Sequence, residues 1–390
     1  MRISQIRYNI KLFYSLYIKP PKKWQYPKKS EILIFDAMGA EALMPYLAKY
    51  FVTTMTVRGE SINIPCLFRG MLKPSFWTGK PGKAYTEAYI QVVLPKVVIT
   101  FIDNNSGFYE ISKSFPDIKT IFIQNGLRTI SAFYGIVKSY NYHVDYMLVH
   151  GSAIGKYYQN YLSGQSISIG SLKNNAISNL SSVVNNDVLF ISQWRCEPTK
   201  GTAFSIPADD TLVYWDEFFQ SEIITLKFLD RWCVENNKHL KICGCTKNED
   251  GLEIDFYSNC LQDSEWVYIP RKSNYSIYKL IDASEIVVSI DSTSGYEAIS
   301  RSKRTAIFSC RDRGKSKFRF PFGWPKDLPN NGPFWTNDQD ETQFQQIMDY
   351  LNTVSDNDWE KTRKYYLTDI MEFDPGNIHF ISLLDNLITN

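Results

Sequence analysis

The stretch from Glu285 to Ser309 constrains the fold more than any other part of the chain. It joins an apolar β-branched run, Ile286 to Ile290, through a small polar turn to a short helix and a second apolar run, Thr305 to Phe308. Continuous apolar strands joined by a helix are typical of a parallel sheet that is buried on both faces. Because open α/β sheets bind ligands at the carboxyl ends of their strands, the turn is the primary candidate for a binding site.

The same unit, a short apolar strand that ends in small or polar residues, recurs along the chain. In the first half we predict strands at Ile32 to Phe35, Thr53 to Val57, Val97 to Ile102, Thr120 to Ile123, Tyr146 to Val149 and Ser166 to Ile169. In the second half we predict them at Val188 to Ile191, Leu240 to Cys243 and Trp266 to Ile269, all of which precede the stretch from Glu285 to Ser309. Two such series predict an α/β fold in which two Rossmann-like domains face across a cleft and C-terminal helices cross back.

A polar run between Asn174 and Asn186 is the best candidate for the linker between the two series. We therefore predict a basic N-terminal arm at residues 1–29, Rossmann-like domains at 30–176 and 187–358, and C-terminal helices at 359–390. Such a chain is long enough for two domains. The segments Pro65 to Lys83 and Ser192 to Thr211 are predicted to be loops, and Asp216 to Asn236 a helix.

Charge and composition exclude several classes of protein. A formal net charge of +2 argues against a broad nucleic-acid-binding surface. The arm at residues 1–29 has basic and aromatic residues but no acidic residue. It is too polar for a signal sequence or a membrane span, so we expect a cytoplasmic protein. Two interpretations of the arm stay open: peripheral contact with an anionic membrane, or a surface helix followed by a solvated linker.

The sequence favours chemistry without a cofactor or a metal ion. No G-x-G-x-x-G follows a strand and no Walker motif occurs, which argues against a tightly bound dinucleotide and against phosphoryl transfer of the Walker type. The seven cysteines lack metal-ligand spacing and are expected to be reduced thiols, and the four histidines make a multi-histidine metal centre improbable.

Several segments together resemble a known family. They are FIDNN (Phe101 to Asn105), IQNGLR (Ile123 to Arg128), VHGSAIGKYY and IGSLKNN (Val149 to Tyr158, Ile169 to Asn175), the run from Tyr278 to Ser309, and FGWP with GPFW (Phe322 to Pro325, Gly332 to Trp335). In this order the chain resembles the bacterial surface-carbohydrate glycosyltransferases of O-antigen, capsule and lipopolysaccharide biosynthesis, which have the GT-B fold. The resemblance implies a nucleotide-sugar donor and a lipid-linked or polysaccharide acceptor.

The layout is also similar to that of the β-Kdo transferases, which implies CMP-Kdo or another CMP-activated acidic sugar as donor. Arg195 or Arg271 would then bind the sugar carboxylate through two parallel hydrogen bonds.

Candidate donor-binding residues follow the strands of the second half. In the stretch from Glu285 to Ser309, the turn amides at a helix N-terminus are expected to bind the leaving phosphate. Glu297, which follows the turn, is expected to reach a hydroxyl of the ribose or the sugar. An ordinary strand-to-helix turn is the alternative interpretation. The predicted donor residues are Ser192, Gln193, Arg195, Gly244, Lys247, Arg271, Asp291, Ser292, Thr293, Ser294, Gly295 and Glu297.

Residues at the ends of the first-half strands are candidates for binding the sugar or the acceptor. They are Asp36, Gly39, Asp103, Asn104, Gln124, Asn125 and Gly126.

Sugar transfer needs a carboxylate as base or nucleophile, and the preferred candidates are Asp216 and Glu217 at a helix start. Simple helix capping is the competing interpretation for each of them. His150 is a further candidate base, although a lone histidine after a strand is more often structural.

Three other functions fit the same architecture. A non-hydrolysing sugar-nucleotide epimerase would act on one sugar nucleotide without an acceptor. A non-catalytic subunit that binds a glycan or a nucleotide in a polysaccharide assembly complex would retain the cleft without needing the carboxylates. A glycerophosphotransferase-like polymerase would need catalytic histidines, which we cannot place.

Overall fold

The computed structural model describes residues 19–133, 141–178, 185–197, 201–206, 211–261, 265–311 and 320–389. Residues 1–18 of the predicted arm and residues 179–184 of the predicted linker therefore lie outside the described residues. The strands before residue 180 are β1 (Lys22–Lys23), β2 (Ile32–Phe35), β3 (Val52–Met55), β4 (Ile62–Asn63), β5 (Val97–Thr100), β6 (Lys119–Ile123), β7 (Tyr142–Val149) and β8 (Leu162–Ser168). Those after it are β9 (Asp187–Ile191), β10 (Ala203–Ile206), β11 (Thr211–Tyr214), β12 (His239–Cys243), β13 (Trp266–Ile269), β14 (Ile286–Ser289), β15 (Arg304–Phe308) and β16 (Trp335–Thr336).

Helices connect these strands. Those of the first half are α1 (Ala40–Leu47), α2 (Ile64–Met71), α3 (Pro74–Trp77), α4 (Pro81–Val93), α5 (Ser106–Tyr109), α6 (Ile111–Ser114), α7 (Ser152–Tyr158) and α8 (Leu172–Asn175), with a 3₁₀ turn at Ile130–Phe133. Those of the second half are α9 (Trp215–Glu235), α10 (Leu252–Leu261), α11 (Ser276–Ala283), α12 (Thr293–Ser300), α13 (Glu341–Thr353), α14 (Asp356–Leu367) and α15 (Ile378–Thr389).

Two six-stranded sheets form the framework. Their strand orders are β3-β2-β5-β6-β7-β8 and β13-β12-β9-β14-β15-β16, and every ladder within them is parallel. The central strands β2, β5, β9 and β14 are buried at every position. Their continuous apolar sequences therefore reflect helices on both faces, as parallel sheets require.

The C-terminal helix α15 returns to the first sheet. Its residues Phe380, Leu384 and Ile388 are buried in one hydrophobic cluster with Ile32 of β2 and Val97 of β5. The backbone carbonyl of Ile388 also accepts a hydrogen bond from the side chain of Lys96 at 2.6 Å. The prediction of a C-terminal crossing back to the first half is confirmed for α15, whereas Trp359 and Leu367 of α14 pack in the core of the second half.

The segment from Pro65 to Lys83 is not the loop that its proline and glycine content suggested. It carries most of α2, all of α3 and the start of α4. Each of these helices has a proline in its first turn, where the missing N–H costs no intrahelical hydrogen bond. The Asn63 side chain caps α2 by accepting from the Cys66 N–H at 3.1 Å. The prolines thus mark where helices begin.

Two further differences concern the second half. The predicted loop from Ser192 to Thr211 contains strand β10, which pairs antiparallel with β11. Helix α10 was not predicted, although it fixes the buried carboxylate of Glu253 next to the ends of two strands.

Candidate functional site

A cavity of about 570 Å³ lies at the carboxyl edge of the second sheet. The ends of β9, β12 and β14 and the start of α12 contribute to its wall, and the segment after β6 closes it from the first half. The predicted residues that line it are Ser192, Gln193, Arg195, Gly244, Arg271, Asp291, Ser292, Thr293, Ser294 and Gly126. The structure thus brings most of the predicted donor residues to one cavity.

The turn between β14 and α12, within the stretch from Glu285 to Ser309, forms the floor of this cavity. Ser292 caps α12, and its side chain accepts from the Ser294 N–H at 3.2 Å. The N-terminus of this eight-residue helix lies at the cavity wall, where the positive end of its dipole favours an anion. Gly295 has a packing role instead, since an added Cβ would lie 2.6 Å from the Ser289 Cβ.

The first half reaches the cavity through a short rim, residues 126–129. The Leu127 N–H donates to the hydroxyl of Thr293 at 3.1 Å, which joins the rim directly to α12. The Gln124 side chain holds the rim from behind by donating to the Gly126 carbonyl at 2.8 Å. The two halves therefore meet at the turn that the sequence indicated.

A buried ion pair supports this rim. Asp103, which is 1% exposed, accepts from the Arg128 Nε at 2.7 Å and from the hydroxyl of Tyr158. Arg128 also donates to the Asn125 side chain at 2.5 Å. The structure thus brings Asp103, Gln124 and Asn125 together as a framework, and only Gly126 of the predicted acceptor residues lines the cavity.

Asp36, Gly39 and Asn104 lie away from this cavity. Asp36 is fully buried and accepts from the Arg58 Nε at 2.7 Å. Gly39 has φ +75°, and an added Cβ would lie 2.4 Å from the Phe101 ring, so this position requires glycine. Asn104 is exposed. A separate cavity of about 250 Å³ lies in the first half beside the ends of β2 and β3.

Arg311 is a cavity residue that the sequence analysis missed. Its guanidinium is 3% exposed, donates to both carboxylate oxygens of Asp291 at 3.1 Å, and contacts Glu222 at 3.2 Å. It also lies over the Phe218 ring at 4.4 Å from the centroid. Burial raises the pKa of Glu222, while Arg311 and the Tyr257 hydroxyl act in the opposite direction. A buried charge network therefore fixes one wall of the cavity.

A second missed carboxylate, Glu253, orders the opposite wall. It accepts from the Ser192 hydroxyl and the Cys245 N–H at 2.7 Å each, and from the Thr246 N–H at 2.9 Å. These contacts tie the ends of β9 and β12 together. A carboxylate that accepts several backbone N–H groups stabilises loop geometry, so Glu253 supports the site without lining it.

Two arginines give the cavity its cationic character. Arg195 is exposed, and its carbonyl is held by the Trp215 indole N–H at 2.8 Å. The Arg271 backbone N–H donates to the Thr246 carbonyl at 2.8 Å. The buried Nε of Arg271 has no hydrogen-bond partner among the described residues. A buried guanidinium N–H without a partner is costly, so an anionic ligand fits this position.

Lys247 and Glu297 lie outside the cavity. The Lys247 side chain is 70% exposed and lies 4.0 Å from Glu249. Glu297 is buried, where it accepts from the Ser171 hydroxyl at 2.5 Å and the Tyr278 hydroxyl at 3.1 Å. Glu297 therefore joins α12 to the segment that leads from the first half to the second.

Asp216 and Glu217 both lie exposed in the first turn of α9. Glu217 accepts from the Tyr214 N–H at 3.1 Å, which is the helix-capping alternative. Neither side chain lines the cavity, whereas Phe218 and Phe219 immediately after them do. The catalytic role of Asp216 and Glu217 stays a prediction.

His150 is buried and hydrogen-bonds through its backbone N–H to the Gln124 side chain at 3.0 Å. Burial, with a smaller contribution from nearby Arg128, lowers the pKa of His150 to about 3. The imidazole is then neutral and weakly basic at neutral pH, which favours a structural role.

This burial predicts a pH dependence of stability. The folded-state pKa of His150 lies below its ordinary value of 6.5, so the unfolded chain binds one more proton as the pH falls from 6.5 toward 3. We expect His150 to contribute a loss of up to about 1.4 kcal/mol in unfolding free energy per pH unit in that window. Urea denaturation between pH 7 and pH 4.5 should show a shallower decline for His150→Leu than for the parent. His143→Leu, at a partly exposed histidine, is the control, and an unchanged slope in His150→Leu would contradict the assignment.

Comparison with known protein families gives one match. A family profile described as a putative O-antigen biosynthesis protein matches residues 121–388, more than half of the chain. A search by sequence among curated proteins found no match.

Comparison with solved structures gives many matches at low sequence identity. A UDP-N-acetylglucosamine 2-epimerase is 13% identical, with TM-score 0.54 and coverage of 93% of this chain and 97% of the other. The UDP-GlcNAc 2-epimerase of Methanocaldococcus jannaschii is 8% identical, with TM-score 0.52 and coverage of 91% and 99%. A glycosyltransferase from Rickettsia africae ESF-5 is 9% identical, with TM-score 0.50 and coverage of 95% and 100%. These likenesses concern the fold, and the predicted GT-B-like arrangement of two parallel α/β halves is confirmed.

Proposed function

Since this chain belongs to the family of putative O-antigen biosynthesis proteins, we propose that it is a glycosyltransferase that moves a sugar from a nucleotide-sugar donor to a surface-polysaccharide acceptor. The observation that carries the proposal is the cavity at the carboxyl edge of the second sheet. There, the N-terminus of α12 and the arginines Arg195 and Arg271 line a space of about 570 Å³, with Arg311 held in its wall by two carboxylates. Such a space suits an anionic nucleotide sugar.

The donor phosphate is proposed to lie between α12 and Arg271. The N-terminus of α12 supplies the positive end of the helix dipole, and Arg271 supplies a buried donor that has no protein partner among the described residues. Negative charge develops on the phosphate oxygen as the glycosidic bond to the nucleotide breaks. Fixed donors at this position would stabilise that charge in the transition state, and no metal is needed for this role.

CMP-Kdo, or another CMP-activated acidic sugar, is the finer donor proposal. Such a donor carries two separated anionic groups, the phosphate and the sugar carboxylate. Arg195 and Arg271 both line the cavity and supply two guanidinium groups for them. Arg311 is committed to Asp291 and Glu222, so we do not assign it to the ligand.

The acceptor is proposed to be a lipid-linked or polysaccharide glycan of the O-antigen, capsule or lipopolysaccharide class. It would approach from the rim at residues 126–129, which faces α12. Asp216 is the proposed base, because it lies exposed beside the two phenylalanines that line the cavity, while Glu217 is engaged at the helix start. Contact of residues 1–29 with the membrane face also remains a proposal.

Nucleotide release tests this function. The full chain is incubated with UDP-, GDP-, dTDP- and CMP-sugars, each with and without a lipid-linked acceptor. We expect release with one donor class, strongly increased by the acceptor. Asp216→Asn should lower the release rate by about 100-fold or more while donor affinity is retained, since general-base catalysis contributes about 10²–10⁴. Glu217→Gln is the matched neighbour and should change stability more than rate.

The same assay separates the alternatives. Conversion of one sugar nucleotide into its epimer without acceptor would support the epimerase, whose fold is the same. Donor binding without turnover under any condition would support the non-catalytic binding subunit. Either result would overturn the glycosyltransferase proposal.

A further inference from the structure

We propose that the outward face of helices α2 and α3 is a docking surface for an anionic membrane. This docking face consists of Phe68, Leu72 and Trp77 together with the cations Arg69 and Lys80. The docking face lies on the first half, apart from the donor cavity of the second sheet.

The apolar part of the docking face is unusually exposed. The side chains of Phe68, Leu72 and Trp77 are 62%, 85% and 71% exposed. Phe68 and Leu72 are four residues apart at the end of α2, and therefore lie on the same side. The Trp77 indole N–H donates to the Met71 carbonyl at 2.7 Å, which places its ring against the end of α2. Three large side chains thus form one patch, and clustered exposure of this kind marks an interaction site.

The stretch of chain that carries this patch has charged side chains of one sign. Between residues 61 and 86 the chain carries four basic side chains, Arg69, Lys73, Lys80 and Lys83, and no acidic one. Lys73 and Lys83 are paired with the carboxylates of Glu87 and Glu110. Arg69 and Lys80 are exposed and make no ion pair with any residue that the structure describes. An apolar patch bordered by unpaired cations is complementary to anionic lipid headgroups.

A second segment with exposed basic and aromatic residues lies beside the start of α2. Strand β1 pairs with β4 directly before α2, and the Asn63 side chain donates to the Gln25 carbonyl at 2.7 Å. Strand β1 is followed by Trp24, which is 73% exposed, and then by the exposed lysines Lys28 and Lys29. Tryptophan at the edge of an apolar surface is typical of the headgroup region of a bilayer. The described part of the basic arm therefore lies next to the helix that carries the docking face.

A membrane explains this composition better than a second copy of the chain. In a symmetric dimer the cations of one face would approach the same cations of its partner, which is unfavourable. On an anionic bilayer each basic side chain near the surface contributes about 1 kcal/mol, and inserted apolar side chains add to this. Among the described residues, no helix is both long and apolar enough to cross a membrane.

Vesicle co-sedimentation tests the docking face. The full chain is mixed with vesicles of phosphatidylcholine alone or with 30% phosphatidylglycerol, at two salt concentrations. We expect salt-sensitive binding to the anionic vesicles. The triple variant Phe68→Ser, Leu72→Ser, Trp77→Ser should reduce the partition coefficient at least tenfold, and Arg69→Glu, Lys80→Glu should reduce it and weaken its salt dependence. Because all five side chains are exposed, the thermal unfolding midpoint should stay unchanged.

The matched control replaces exposed apolar residues elsewhere with Val234→Ser, Tyr365→Ser and Ile378→Ser, whose side chains are 74%, 77% and 62% exposed. This control should bind vesicles like the parent. Equal partitioning of the parent and the docking-face triple variant would overturn the proposal, since residues 1–29 alone would then account for binding. Loss of a dimer in the triple variant, without a change in vesicle binding, would assign the face to a second copy and would overturn it as well.

Discussion

Replacing Arg311 with methionine is expected to lower the free energy of unfolding by about 3–5 kcal/mol, the largest stability effect that we predict. The guanidinium is the shared partner of Asp291 and Glu222, and the three side chains are all less than 10% exposed. Burial opposes the charged form of Arg311, but the two carboxylates outweigh it and raise its pKa. Without the arginine, two carboxylates would remain buried with one cation fewer, and urea denaturation of the variant would measure the cost.

The control for this prediction is Arg304→Met. Arg304 also binds a carboxylate, but its partner Asp356 is 96% exposed, so the loss should stay below about 1 kcal/mol. Adding Glu222→Gln and Asp291→Asn to Arg311→Met should recover part of the lost stability, because it removes the two carboxylate charges that Arg311 neutralises. Equal losses in Arg311→Met and Arg304→Met would show that the buried network does not hold this wall.

The sequence predicted the framework of the site well because that framework depends on local patterns. Apolar runs that end in polar residues define buried parallel strands, and the carboxyl ends of such strands meet at one edge. Ser192, Gly244 and Asp291 are far apart in the chain, yet this rule places all three at one cavity.

The supporting residues could not be found in this way. Arg311 and Glu222 are 89 residues apart, and nothing local connects them. Glu253 lies on a helix that the pattern did not reveal. Glu297 was predicted to bind the donor because it follows the turn. In the structure its carboxylate instead accepts a hydrogen bond from the Ser171 hydroxyl. Pairing across elements depends on packing, which a single sequence does not display.

The exposed Lys247 shows that the sequence can also predict a ligand contact where the structure has none. It follows β12 in sequence as Arg271 follows β13, and both were predicted to bind the donor. In the loop after β12, the Cys245 and Thr246 N–H groups donate hydrogen bonds to Glu253. The next residue, Lys247, is exposed. A basic residue after a strand is therefore a good candidate only when the loop also directs it into the cleft.

Replacing Arg271 with glutamine is expected to weaken nucleotide binding about 10- to 100-fold without a change in the unfolding midpoint. A hydrogen bond to a charged group contributes about 1.5–3 kcal/mol, and each 1.4 kcal/mol corresponds to a tenfold change in affinity. The buried Nε of Arg271 has no partner among the described residues, so the folded protein should tolerate its loss. Isothermal titration calorimetry with CMP, UDP, GDP and dTDP measures the effect on whichever nucleotide the parent binds.

Lys247→Gln is the matched control, because it removes a cation that the sequence also assigned to the donor but that lies 70% exposed outside the cavity. Its affinity should equal that of the parent, and a loss as large as that of Arg271→Gln would mean that only general electrostatic attraction is measured. Comparison of the free nucleotide with the intact donor then identifies the contact. If Arg271 binds the phosphate, both ligands lose affinity in Arg271→Gln. If it binds a sugar carboxylate, only an acidic sugar nucleotide such as CMP-Kdo loses affinity, and the phosphate contact falls to Arg195 and the N-terminus of α12.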